Sequence, residues 1–199
     1  DICPGVRRVG QDDMAKTHEE ITPKLAAFIE KQKMFFVASA PLSADGHVNM
    51  SPKGYDSFKI LGPNKVAYLD LGGSGVETIA HLRENGRITF MFCAFEGAPN
   101  IVRLYGKGTA TGFDDPGFAE LAALFDHMPG IRSVIVVELD RIQDSCGFSI
   151  PFYEYTGERD QLLRAHAHLP EDQWRERRYN RNEQSVDGLP GLLRPDSVS

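Results

Sequence analysis

No stretch of this chain approaches the roughly 20 consecutive apolar residues that a membrane-spanning helix needs, which argues against a membrane partner. Cysteine is scarce. Cys3, Cys93 and Cys146 are the only three in 199 residues, with no C-x-x-C pair and no zinc-ligand spacing. An odd count, without an apolar signal core near the start, points to a reducing compartment, the cytoplasm. Excess positive charge is lacking too: the formal net charge is −6, which speaks against nucleic acid or an anionic membrane as the main partner. The one basic run, "RERRYNR" from Arg175 to Arg181, has acidic flanks and reads as a solvated helix face. There is no G-x-S-x-G, H-E-x-x-H or Walker motif, and "GGSG" (Gly72 to Gly75) lacks the surroundings of a dinucleotide fingerprint. His166 and His168 are two apart, so on a helix they diverge and make no metal site. The single tryptophan, Trp174, reads as a packing residue.

What is present is enough for a core: 41% of the residues are hydrophobic. Asp1 to Asp13 is set apart as a leader segment. Thr17 and Glu20 have the spacing of a capping box, and Ile21, Leu25, Phe28 and Ile29 recur at helical spacing, which predicts an amphipathic helix from Thr17 to Lys33. Strands are expected at Met34 to Ala40, His47 to Lys53, Ser57 to Leu61, Lys65 to Leu71, Arg87 to Phe95, Ile101 to Gly112 and Arg132 to Gln143. A helix after "GGSG" should stop at Gly86, and another should start at Asp114, Asp115 and Pro116. Gly106 and Gly108 inside a strand suggest curvature or close backbone approach. Cys93 lies in an apolar run and reads as a small buried residue. Six or seven strands with few crossovers suggest a mainly β fold with flanking helices, an antiparallel barrel spanning residues 14–150. From Pro151 the chain becomes more charged, a helical extension and tail over 151–199 in which Leu189, Leu192 and Leu193 should dock on the barrel or on a second subunit.

The stretch from Val48 to Phe92 carries the chemistry. Lys53 closes a strand, and "GGSG" opens a helix with free backbone amides; a cation and a helix start together suit a phosphate. In their order and spacing, "FFVASAPLSADGHVNMSPKG", "VAYLDL", "GSGVETIAHLRENGRITFMF" and "VRLYGKGTA" resemble the pyridoxamine 5'-phosphate oxidase-like proteins, the FMN-binding split-barrel superfamily, over Ile21 to Cys146.

The resemblance implies a homodimeric split β-barrel with FMN at the subunit interface, a small-molecule substrate, and hydride or electron transfer at the flavin. Lys53 would reach the phosphate, with Met50, Ser51 and Pro52 beside the isoalloxazine ring. Tyr68, Leu69 and Asp70 match the next cofactor-facing strand; a carboxylate near phosphate is repulsive, so Asp70 is expected to face the ribityl hydroxyls or a backbone amide. Ser74, Thr78 and Arg103 would assist Lys53, and Arg103 would otherwise pair with a cross-strand acid. No catalytic acid or base is identified; Arg103 and Tyr105 are candidates only through their strand. Two departures stand out. The Arg-Lys pair that pyridoxamine phosphate oxidases place at the helix start is replaced by Glu77 and Thr78, and their terminal Arg-Leu-x-Arg-like pattern is missing, which argues against pyridoxamine 5'-phosphate as substrate. These leave open a deazaflavin-dependent reductase, a haem protein, or a flavin-binding module without turnover.

Overall fold

The computed structural model describes residues 15–195. Eight antiparallel strands form one sheet: β1 Ala15–His18, β2 Phe35–Ser39, β3 Asn49–Lys53, β4 Phe58–Gly62, β5 Lys65–Leu71, β6 Arg87–Cys93, β7 Ile101–Gly112 and β8 Ile131–Ser145. Their order is β3-β2-β6-β7-β8-β5-β4. The longest strand, β8, organises the rest: β7 runs along one edge, while the other edge is shared by β5 and, further on, by β1. The sheet curls around the rings of Phe35, Tyr68, Phe90 and Phe92, which meet mostly edge to face at 5.5–6.2 Å. The chain is therefore a mainly β split barrel with five flanking helices among the described residues. β3 and β5 share no backbone ladder, and side chains alone bridge the seam between them.

The start of the chain departs from expectation. Thr17 lies in β1 opposite Gln143, which adds an eighth strand, and the first helix, α1, spans Pro23–Lys31. Its N-cap is Thr22, whose hydroxyl accepts from the Leu25 N–H at 3.4 Å. The physical reason is Pro23: its fixed φ suits the first helical position and forces the preceding residue into extended backbone. The expected helix start at Asp114 is corrected likewise. Asp115 instead accepts from the Gly112 N–H at 2.7 Å, and α3, Phe118–Ala122, begins only after Gly117. The leader segment lies outside the described residues.

Helix α2, Glu77–Asn85, ends on Gly86 in the left-handed conformation (φ 72°), as its sequence indicates. It seats on β2 through His81, fully buried, whose Nδ1 is 2.9 Å from the Ser39 hydroxyl. The extension forms α4, Gln161–Ala167, and α5, Glu171–Arg181. Trp174 packs on His166 with ring centroids 4.2 Å apart, and Leu192 joins Val76, Ile79 and Tyr179 in a cluster over α2. The basic run is not wholly solvated: Arg178 is buried, bonded to Glu171 at 2.7 Å and set over the Phe113 ring. Among the described residues no helix is long and apolar enough to cross a membrane, and no cluster could hold a metal ion.

Gly106 sits at a bulge where β7 presses on β8, so a methyl group there would run into the Glu138 carbonyl oxygen. Gly106→Ala is expected to cost about 1–3 kcal/mol, the scale of overpacking; equal denaturation midpoints for variant and wild type would refute the close approach. Burial holds His81 and His166 below the ordinary histidine pKa, for His166 against a partial offset from the Gly72 carbonyl. As pH falls below about 6.5 the unfolded chain takes up these protons first, so stability is full above that value and declines towards the folded-state pKa values. The melting temperature should drop between pH 7.5 and 5.5, and less so in His81→Asn; a flat wild-type profile would contradict this.

Candidate functional site

The end of β5 places Asp70 inside the molecule with no exposure to solvent. Three groups answer its charge. Arg132, at the start of β8, approaches Oδ2 with Nε at 2.8 Å and a terminal nitrogen at 2.7 Å. Lys53 Nζ lies 3.3 Å from Oδ1, and the Ser133 hydroxyl donates to Oδ2 at 3.3 Å. Burial alone would raise the Asp70 pKa; Arg132 first, then Lys53, overcome this and hold it below the ordinary carboxylate value. The expected turn of Asp70 towards hydroxyls or an amide gives way to this ion cluster. Two cations share one anion, so the cluster is net positive by one charge, and the Lys53 side chain is 20% exposed.

Arg132 also sets the glycine loop. It donates to the Gly75 carbonyl at 2.6 Å and to Asn182 Oδ1 in the extension. His166 Nε2 is 3.2 Å from the Gly72 carbonyl oxygen and pins the other end of the loop. Between these points Ser74 is exposed, and the space beside the Gly73 Cα is open. Glu77 folds back against Gly75 and accepts from the Val186 N–H at 3.3 Å. Further along the seam, Asn49 donates to the Thr78 hydroxyl at 3.0 Å. Asn49, Lys53 and Thr78 thus close the gap between β3 and its neighbours with polar groups, and the fully buried Tyr68 Oη and His81 Nε2 beside them have no hydrogen-bond partner within the described chain.

Strand alternation divides the other predicted residues. Ser51 shares the inner face with Lys53, which stands opposite the buried Phe35. Met50 and Pro52 point the other way, onto the outer face. Arg103 belongs to that outer face, in one row with Met91, Phe36 and Pro52, so within one chain it is not brought to Lys53; it donates to the Ser145 hydroxyl at 3.1 Å. Tyr105 lies in the same face, in the wall of a hollow of about 410 Å³. Tyr68 and Leu69 are wholly buried, Tyr68 among the core rings and Leu69 against Phe125, and their strand is paired with β4 on one side and β8 on the other, so neither is presented to a ligand within one chain.

Sequence reasoning missed Arg132, Asn182 and His166. Arg132 had one signal, a lone cation near the head of a strand that continues, after Ser133, into the apolar run "VIVV". Asn182 and His166 had none, because their partners lie 50 and 94 positions away.

Residues 21–146 match the family model described as Pyridoxamine 5'-phosphate oxidase. The chain is 38% identical over 199 residues to ustO of Aspergillus flavus, a pyridoxamine 5'-phosphate oxidase family protein; the match covers 88% of this chain and 77% of that one. Among solved structures, HupZ of Group A Streptococcus shares the fold, with a TM-score of 0.51 at 22% identity over 62% of this chain and 98% of the other. The matched stretch contains the seam with Lys53, Asp70 and Arg132, and the chain belongs to the pyridoxamine 5'-phosphate oxidase family.

Proposed function

We propose that this chain is a cytoplasmic FMN-dependent oxidoreductase acting on a small molecule, with the flavin held between two copies of the chain. The observation that carries the reading is the ion cluster. A net positive charge, presented by a partly exposed lysine at the seam, is a fitted place for a phosphate monoester. The open side of Gly73 and the exposed Ser74 hydroxyl offer additional contacts. The residues present therefore suit the phosphate end of FMN. When bound, FMN supplies the hydride or electron transfer.

The protein's own part is to bind and orient. Lys53 neutralises the phosphate while Arg132 keeps Asp70 from competing for it. Thr78, buried beneath the seam, fixes Asn49 at the far end of β3. The backbone of Met50, Ser51 and Pro52 forms the edge beside the ring; Pro52 has no N–H, so this edge has one donor fewer. Arg103 and Tyr105 lie on the outer face with Phe36 and Met91, half-buried in a single chain. That face suits a second copy, whose Arg103 and Tyr105 would then stand near the first copy's cofactor. Glu77, where relatives carry cations, favours a weaker phosphate grip, and this supports a deazaflavin reductase or a binding module as the second reading.

Fluorescence titration tests the assignment directly. Lys53→Ala should weaken FMN binding by about 1.5–3 kcal/mol, the scale of a hydrogen bond to a charged group; an unchanged dissociation constant would remove Lys53 from the site. A colourless protein that retains no FMN on gel filtration would favour the deazaflavin reading. Bound flavin with no turnover of reduced nicotinamide or oxygen would favour the module. Light scattering should give twice the 22.1 kDa of one chain, and a 22.1 kDa species with full flavin occupancy would exclude the shared site.

A further inference from the structure

Lys53 faces two spaces. One is the seam. The other is a cleft of about 800 Å³ bounded by residues 31–34, by residues 52–55, and by the extended arm over 153–159. This volume is ligand-sized, and the arm lies outside the stretch that the family model matches. From Lys53, β3 runs one way towards Met50, while the cleft opens the other way, past Gly54 and Tyr55. A phosphate on Lys53 thus has a path along β3 and a second path into the cleft.

The cleft has its own chemistry. Tyr55, Phe95, Tyr153 and Tyr155 line it. Phe95 and Tyr153 sit 5.5 Å apart, Lys33 Nζ stands 5.8 Å from the centre of the Tyr155 ring, and Tyr153 and Tyr155 are 64% and 44% exposed, large rings that offer open area to a flat partner. Tyr55 is held at φ 60°, a conformation a tyrosine rarely adopts, and its hydroxyl donates to the Arg159 carbonyl at 2.6 Å, tying the arm to the rim. Three cations line the same space: Lys31, Lys33 and Arg159. Among the described residues none of the three takes part in an ion pair. Three acids line it as well: Glu158 accepts from the Tyr155 hydroxyl at 2.9 Å, Glu96 accepts from the Tyr155 N–H at 3.3 Å, and Glu154 stands beside them, so with Lys53 the lining carries one more cation than acids.

We propose that the cleft holds the adenylate half of a flavin dinucleotide, its base against the tyrosine rings and its second phosphate on Lys33 and Arg159. The proposal rests on Lys53 being the residue that holds the flavin phosphate, and it deepens that reading by making the bound FMN unit the flavin half of FAD. FMN alone would end at Lys53 and not extend to these rings and cations; a dinucleotide engages both.

Equilibrium titration of the full chain with FMN and with FAD tests this, using flavin fluorescence as the readout. FAD should bind at least about tenfold more tightly, the scale of one base stacked on an aromatic side chain. The Tyr153→Ala/Tyr155→Ala double variant should lose that difference and keep the wild-type affinity for FMN, and Lys33→Ala should reduce the difference in part. Both tyrosines are exposed, so circular dichroism should match the wild type. Equal affinities for the two flavins in the wild type would overturn the inference and leave the FMN reading standing. Failure to bind either flavin would overturn both. A preference for FAD that survives in both variants would place the adenylate elsewhere and overturn the assignment of this cleft.

Discussion

A carboxylate with no access to water, Asp70, sits where β3, β5, β8, the glycine loop and the C-terminal extension meet. Burying a charge costs several kcal/mol even after relaxation, and the cost is met only by good geometry and full hydrogen bonding. Arg132 meets it. Two of its nitrogens reach one carboxylate oxygen, and the remaining donor capacity goes to Gly75 and Asn182. The ion pair therefore does more than cancel charge: it fixes where the loop and the extension lie. It also leaves Lys53 only partly engaged, because Arg132 already answers most of the Asp70 charge at close range. A lysine sharing its acid with a better-placed arginine is free to turn part of its field towards an incoming anion.

The extension makes four attachments to the rest of the chain here. His166 meets the Gly72 carbonyl, Asn182 accepts from Arg132, Val186 donates to Glu77, and Asp187 takes both the backbone N–H and Nδ1 of His47. Side-chain and backbone hydrogen bonds from His47 hold the half-buried Asp187 below the ordinary carboxylate pKa. Each bond is modest taken alone. Together they immobilise a loop that carries three glycines in four residues and would otherwise lose much entropy on ordering. The apolar cluster of Leu192 with Val76, Ile79 and Tyr179 supplies the area that keeps the strap in place.

Much of this architecture is readable from sequence. β5 and β7 fall on the expected residues, since a run such as "KVAYLDL" between turn residues has few alternatives. Gly86 ends its helix for the expected reason. Errors arose where two local signals competed. Thr17 and Glu20 fit a capping box, but Thr22 stands before a proline, and the long β8 had a free edge that paired Ala15–His18 as a strand. That pairing joins residues more than 120 positions apart, and no local pattern announces it. The candidate site divides the same way. Lys53 was legible because a strand-ending lysine beside a glycine loop has a local signature. Arg132 was not, because its meaning comes from Asp70, 62 positions away, and from a burial that only the closed barrel creates.

Glu77 sets the electrostatics where the glycine loop enters α2. At a helix start the backbone dipole favours negative charge, and here the chain's own Glu77 takes that position, folded back on Gly75 and held by the Val186 N–H. An anion approaching the loop meets this carboxylate at the helix end and the Lys53 ammonium at the seam end. The difference in sign pushes the anion away from α2 and towards β3. Lys53 is also the residue from which the aromatic cleft opens. The field between Glu77 and Lys53 thus points towards the side of the barrel that the C-terminal arm walls in, where Lys31, Lys33 and Arg159 line the second space.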